Sequence, residues 1–244
     1  MKEFFITTVY QPLYNLLILL IDMIPGHGVF WATILLTIIV KVILMPLAKK
    51  AMISQIKMKG VQEKIKDIQE KFKDNKEELT KRIIELYKTE GVNPLSPILL
   101  ILIQLPIILS LYFIFKSGLP VLNTEIIYGF IPTPEKVSMI YLGLDLAGKS
   151  LVLAILTGLT QFFYIKRTFA KNNESKENKN STPTKAEEFQ KALSFQFTYI
   201  MPFIIAIIAY TLPAVISIYW ITSNIFAYMQ DIYIRNHTDK LGIS

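Results

Sequence analysis

Lys41 has the clearest capacity for chemistry in this sequence: it is the only ionisable side chain in an apolar run, 28–47. Along a helix it lies about 9 Å from the end of that run at Leu47. A charge at that depth costs a few kcal/mol unless it is solvated. Thr33 and Thr37 precede it at steps of four residues, which on a helix makes a polar stripe along one face. Snorkelling of the ammonium to nearby headgroups is the plain alternative, and the stripe argues against it. Other apolar runs repeat the arrangement. Ser150, Thr157, Gln161 and Tyr164 share one helix face, as do Ser217, Trp220, Asn224 and Tyr228, and Gln104 adds a further amide. Hydroxyls in such helices often bond their own backbone or glue helices together. The amides of Gln104, Gln161 and Asn224 need several partners each, and with Lys41 they are most simply accommodated by a hydrated cavity. A dry, hydrogen-bonded helix interface is the rival reading.

Other chemistries lack their parts. No Cys is present, and His27 and His237 stand apart, so neither a thiolate nucleophile nor a metal or iron–sulfur centre is expected. No cofactor is expected either. The runs read as spans show no Asp or Glu at depth, Asp231 being counted with the tail, so the carboxylate relays of proton-moving transporters are missing. A serine–lysine hydrolase would need a hydroxyl aimed at Lys41, and Thr37 is merely its helix neighbour. Gly143, Gly148, Lys149 and Ser150 match the spacing of a phosphate-binding loop. The helix that follows them is apolar enough for lipid and no second strand–helix–strand unit exists, so nucleotide binding and enzymatic activity are not expected.

The elements that must position these side chains follow from composition. The 244 residues are 52% hydrophobic and 18% charged, with a mean hydropathy of +0.41, against about 25% charged in soluble domains. Runs near the 20 residues that cross a bilayer core of about 30 Å occur at 28–47, 95–115, 146–165, 195–212 and 213–234, which predicts five transmembrane helices. The apolar stretch 4–24 carries Gln11, Pro12, Asn15 and Asp22, so residues 1–27 are expected to hold an interfacial amphipathic helix rather than a span.

Residues 48–94 lie outside lipid, since 48–92 alone holds 12 Lys or Arg and 8 Asp or Glu. Val61, Ile65, Ile68 and Phe72, then Leu79, Ile83 and Leu86, predict two short helices folded back on each other. Glu77 with Lys81 and Glu78 with Arg82 support the second helix, and Gly91 with Asn93-Pro94 stops it. The stretch 166–194 reads as a flexible loop, most clearly at 172–184. The hairpin, this loop and the tail after the last span, with Asp231 counted in it, sum to +7, while 1–27 with 116–149 sum to −1. That bias puts the N-terminus outside and the hairpin and C-terminus in the cytoplasm.

The order of parts resembles the YidC family of membrane-protein insertases. The residues that carry the likeness are Ile39-Val40-Lys41 leading to Met45-Pro46-Leu47, Leu86-Tyr87-Lys88 and Val92-Asn93-Pro94-Leu95. Ile103-Gln104-Leu105-Pro106-Ile107, Met201-Pro202, Tyr219-Trp220 and Ser223-Asn224 complete it. The resemblance implies an all-α integral membrane protein whose five transmembrane helices enclose a hydrophilic groove, open to cytoplasm and lipid and closed outside. It implies a positive groove residue at Lys41, with Thr37, Gln161 and Trp220 lining the groove. Most members carry Arg where this sequence has Lys41, which exchanges a five-donor fork for a compact ammonium. The large outer domain of many Gram-negative members and the lipid-attachment Cys of many Gram-positive ones are also missing, leaving what looks like the minimal core.

The implied function is insertion and chaperoning of nascent membrane proteins in a bacterial plasma membrane, without nucleotide hydrolysis. The partners implied are the nascent clients and membrane lipids, with the ribosome, the signal recognition pathway and the Sec translocon as further candidates; no specific DNA binding is expected. A small-solute or ion channel, or an assembly factor that does not insert, are the alternatives.

Overall fold

The computed structural model describes residues 2–26, 28–73, 75–93, 96–116, 119, 122–173 and 195–240. Helices dominate it. The first rod is made of α1 (Lys2–Phe5), a π-helical turn (Ile6–Tyr10) and α2 (Gln11–Met23). A second π turn, Gln196–Ile200, leads into α7 (Met201–Thr211). Each π turn stands just before a proline, Pro12 or Pro202. A proline ring clashes with the carbonyl four residues back and offers no N–H. Widening the turn, with Gln11 N–H bonded to Ile6 O and Met201 N–H to Gln196 O, moves that carbonyl aside.

Helix α3 runs without a break from Val29 to Lys71, so the first arm of the charged hairpin continues the apolar helix instead of forming a short helix of its own. Pro46 lies inside it. After a corner at Phe72, α4 (Lys76–Thr89) turns back, its N-terminus capped by Asn75, whose Oδ1 accepts from Glu78 N–H at 3.1 Å. Of the two expected ion pairs, Glu78–Arg82 forms at 2.9 Å, and Arg82 also reaches Glu85. Gly91, with φ +63°, ends α4 in the left-handed region, where Val92 N–H returns to Tyr87 O. Across the hairpin, Lys64 pairs with Glu90, Asn93 N–H donates to Ser54 Oγ at 2.9 Å, and Val61 and Val92 are buried.

Helix α5 (Ser96–Lys116) leads away from the hairpin, α6 (Leu151–Asn173) and α8 (Ala214–Lys240) run back toward it, and α7 lies against α6. The first part of the expected loop 166–194 is therefore helical; 174–194 lie outside the described residues, as do His27 and Pro94-Leu95. The expected all-α architecture gains one exception: β1 (Ile140–Tyr141) and β2 (Leu144–Asp145) form a two-stranded antiparallel hairpin at the far end of the bundle. Among the described residues, two helical stretches, Glu3–Met23 and Val29–Met58, are long and apolar enough to cross a membrane, and Gln104–Lys116 and Gln196–Thr211 are shorter apolar helices.

Two surfaces follow from the sequence pattern. A buried core joins Leu17, Ile18 and Ile21 of α2, Leu36 of α3, Leu111 and Ile114 of α5, and Val215 and Ile216 of α8, all within 1% of full burial. The outward faces are apolar as well: Trp31, Leu35, Ile38 and Val42 line one stripe of α3, and Phe203, Ile204, Ile207 and Ile208 one of α7. Apolar stripes of this extent are not tolerated facing water; they fit hydrocarbon.

Candidate functional site

Val29 N–H bonds Ser138 O in the 122–150 loop, which fixes the first turn of α3 at the loop-covered end. From there Lys41 lies about 18 Å down the helix. Thr33 and Thr37 sit between and are fully buried. Each hydroxyl donates to the carbonyl four residues back, Thr33 to Val29 O at 2.8 Å and Thr37 to Thr33 O at 2.7 Å. They are satisfied within their own helix, toward its loop-covered end. Lys41 is half-buried, and among the described residues no acid or acceptor pairs with its ammonium.

The amides divide. Gln104 of α5, half-buried, donates to the hydroxyl of Tyr219 on α8, which is almost fully buried. Asn224 is buried and its Nδ2 donates to Thr160 Oγ1 of α6 at 3.2 Å. Thr160 donates in turn to Thr157 O. Gln161 and Trp220 are half-buried, and Trp220 packs on the core cluster. The structure thus brings Gln104 to Tyr219 and Asn224 to Thr160. Among the described residues, no hydrogen bond or ion pair joins Lys41, Gln161 and Trp220.

A second constellation escaped the sequence reading, which found no acid within the spans. Asp231 falls inside the run 213–234 and is fully buried in α8. Its Oδ1 accepts from Arg235 Nε at 2.8 Å and its Oδ2 from Arg167 Nε of α6 at 3.1 Å. The Arg167 guanidinium also lies over the Tyr228 ring, 5.3 Å from its centre. A buried carboxylate survives because both its oxygens meet a guanidinium. Two signals announced it: an acid in an apolar run, and an arginine four residues on.

The Thr160–Asn224 and Arg167–Asp231 contacts are two rungs of one seam. Both α6 and α8 run from the loop-covered end to the hairpin end, and moving down seven residues on each, about 10 Å, returns to the same face. Against its other neighbour, α6 approaches α7 closely at Gly158, where a Cβ would meet Ala206 Cβ at 2.9 Å and Pro202 O at 3.1 Å. The resemblance of 143–150 to a phosphate loop also resolves. Asp145 Oδ1 accepts from Ala147 N–H at 2.9 Å, so the chain's own carboxylate fills the turn. Ser150 Oγ caps α6 at Leu153 N–H, and Lys149 lies over the Tyr210 ring.

Comparison with known proteins bears on the whole chain. The family described as 60Kd inner membrane protein matches residues 20–240. The membrane protein insertase YidC of Oceanobacillus iheyensis is 32% identical over 214 residues, covering 86% of this chain and 75% of that protein. The insertase of the same name from Wolinella succinogenes is 30% identical over 232 residues, covering 95% of this chain but 38% of its own length. That from Fusobacterium nucleatum is 28% identical over 201 residues, with 82% and 83% covered.

Proposed function

Because the chain belongs to the family of 60Kd inner membrane proteins, we propose that it inserts membrane proteins, moving short polar segments of its clients across the bilayer through a groove that opens toward the charged hairpin. Its place is the bacterial inner membrane. The observation that carries the reading is Lys41: a cation deep in an apolar helix with no partner among the described residues. Solvent entering from the hairpin side supplies the hydration that the protein does not.

In this reading Gln104, Gln161 and Trp220, all half-buried, line the groove beside Lys41. Thr33 and Thr37 form its blind end, and Asn224 holds the wall between α6 and α8. Five helices cross the membrane, with the hairpin and C-terminus in the cytoplasm. The N-terminal rod lies across the outer end. Gln11 and Asn15, the residues that make it a poor span, bond Ile126 O at 3.1 and 2.8 Å, and Tyr128 N–H donates to Asn15 Oδ1 at 2.7 Å. A helix tied to the outer loop by its polar face runs along that loop.

The groove works by shortening the dry path. A polar segment crossing plain bilayer faces a core of roughly 30 Å, whereas water reaching Lys41 leaves roughly 18 Å to the start of α3. Lys41 draws acidic groups of the incoming segment to the blind end. The client's apolar helix then leaves along the exposed apolar faces into lipid, driven by burial worth about 25 cal/mol per Å². Nascent membrane proteins and lipid are thus the partners; the hairpin, with its exposed charges, is where the ribosome, a targeting factor or the translocon would dock. The test is purified protein in liposomes with a single-span client carrying an acidic tail. Protease protection of the tail, with no solute flux in the client's absence, is expected. Flux without protection would make the protein a channel, and neither would leave only an assembly factor.

A further inference from the structure

The β1–β2 hairpin breaks a local rule at its tip. Its two-residue turn, Leu142-Gly143, has φ of +50° and +79°, the mirror-image geometry that joins twisted strands and favours Asn or Gly at both positions. Leucine in the left-handed region is strained. Among the described residues nothing covers the Leu142 side chain, which is 91% exposed. Other apolar side chains of the loop share this: Ile140 on β1 is 66% exposed, and Phe130 81%. Tyr141, on the opposite face, stacks on Phe30 of α3 with ring centres 3.8 Å apart and meets Trp31 edge-on at 5.9 Å.

That stacking fixes where the tip lies. Trp31 heads the exposed apolar stripe of α3 that continues through Leu35, Ile38 and Val42, and Trp and Tyr clustered at the end of such a stripe mark the level of the headgroups. The hairpin is therefore held by Tyr141 against the Trp31 end of that stripe, at the rim. The nearest charge on its own strands, Asp145, is turned back to Ala147 N–H.

We propose that the β1–β2 hairpin is a membrane anchor, inserting Leu142 with Ile140 into the headgroup–acyl boundary of the leaflet at the loop-covered end. Its partner is the lipid surface. The strain at Leu142 is then offset by burial of the side chain in lipid, and the anchor holds the loop that closes the blind end. The anchor rests on the chain's being a membrane protein and is independent of insertase activity, because the test uses no client.

The chain has no Cys, so Leu142→Cys and, as an exposed loop control, Glu135→Cys carry an environment-sensitive fluorophore without background. In phosphatidylethanolamine–phosphatidylglycerol vesicles, lipids spin-labelled near the headgroup are expected to quench the label at 142 at least threefold more than that at 135, with blue-shifted emission. A label at 142 that behaves like the control overturns the proposal. So does one that is blue-shifted yet unquenched by lipid, since protein would then cover it. Leu142→Asn relieves the turn without unfolding it. With the label on Ile140→Cys, this variant is expected to lose half or more of the quenching, and unchanged quenching also overturns the proposal.

Discussion

Replacing Lys41 by Leu removes one charge from the blind end of the proposed groove and leaves the helix apolar, so the fold has no reason to fail. An ammonium and a client carboxylate about 5 Å apart attract by about 0.8 kcal/mol in bulk water and by about 3 kcal/mol at an effective dielectric near 20. Those limits correspond to about 4-fold and about 160-fold in rate for each carboxylate that the groove holds. The half-buried state of Lys41 places the expectation between them. The assay is insertion into liposomes of single-span clients whose tails carry no, one or two acidic residues, followed by protease protection. With Lys41 present the rate rises with each acid; with Lys41→Leu that dependence disappears while neutral tails insert at their former rate; with Lys41→Arg it is kept. Equal loss for neutral and acidic tails would show that Lys41 acts on the fold, and undiminished insertion of acidic tails would remove the charge from the mechanism.

Tyr219→Phe takes away the acceptor of the Gln104 amide; in a hydrated groove water replaces it and the loss of stability in detergent is under about 1 kcal/mol, whereas a dry interface would lose about 1–3 kcal/mol. Asp231→Asn leaves Arg167 and Arg235 facing each other without their shared anion, and thermal unfolding in micelles is expected to show a loss of about 3–5 kcal/mol. Adding Arg167→Gln should restore part of it, and full additivity would refute the shared site. Gly158→Ala forces a Cβ against Ala206 and Pro202 O, which costs about 1–3 kcal/mol; the partner change Ala206→Gly is expected to recover much of that loss in the same measurement.

Periodicity in the sequence was enough to announce the helical architecture, because apolar steps of three and four residues are dictated by helix geometry. Gly91 could be read as the stop of the second helix from its residue type. What escaped depended on contacts between distant segments. Nothing near residue 48 says that α3 continues through it, since good helix formers simply carry the helix on. The β1–β2 turn uses leucine where turn chemistry asks for asparagine, so a reading by residue type misses it. Asp231 was set with the tail because a boundary drawn by hydropathy ends at the first charge, while Arg167, brought to it on the neighbouring helix, makes that charge tolerable. Gln104 and Asn224 look alike as sequence; only the fold separates an amide with one face free from one buried in a helix seam.

In the proposed reading, the asymmetry between the two ends lets a membrane be thinned for a client without being breached. Above Lys41 the core residues of α2, α3, α5 and α8 leave no exposed surface, and both threonines on the way spend their hydroxyls on their own helix. A hydrated ion passing that layer would lose its water and find no group to replace it, at a cost of several kcal/mol or more. A client differs from an ion in one respect: its polar tail is attached to an apolar helix whose transfer into lipid is favourable, and that gain is available only as the tail crosses. In that reading the closed layer acts as a filter on what is attached to the charge, and the groove needs no moving gate to remain tight when empty.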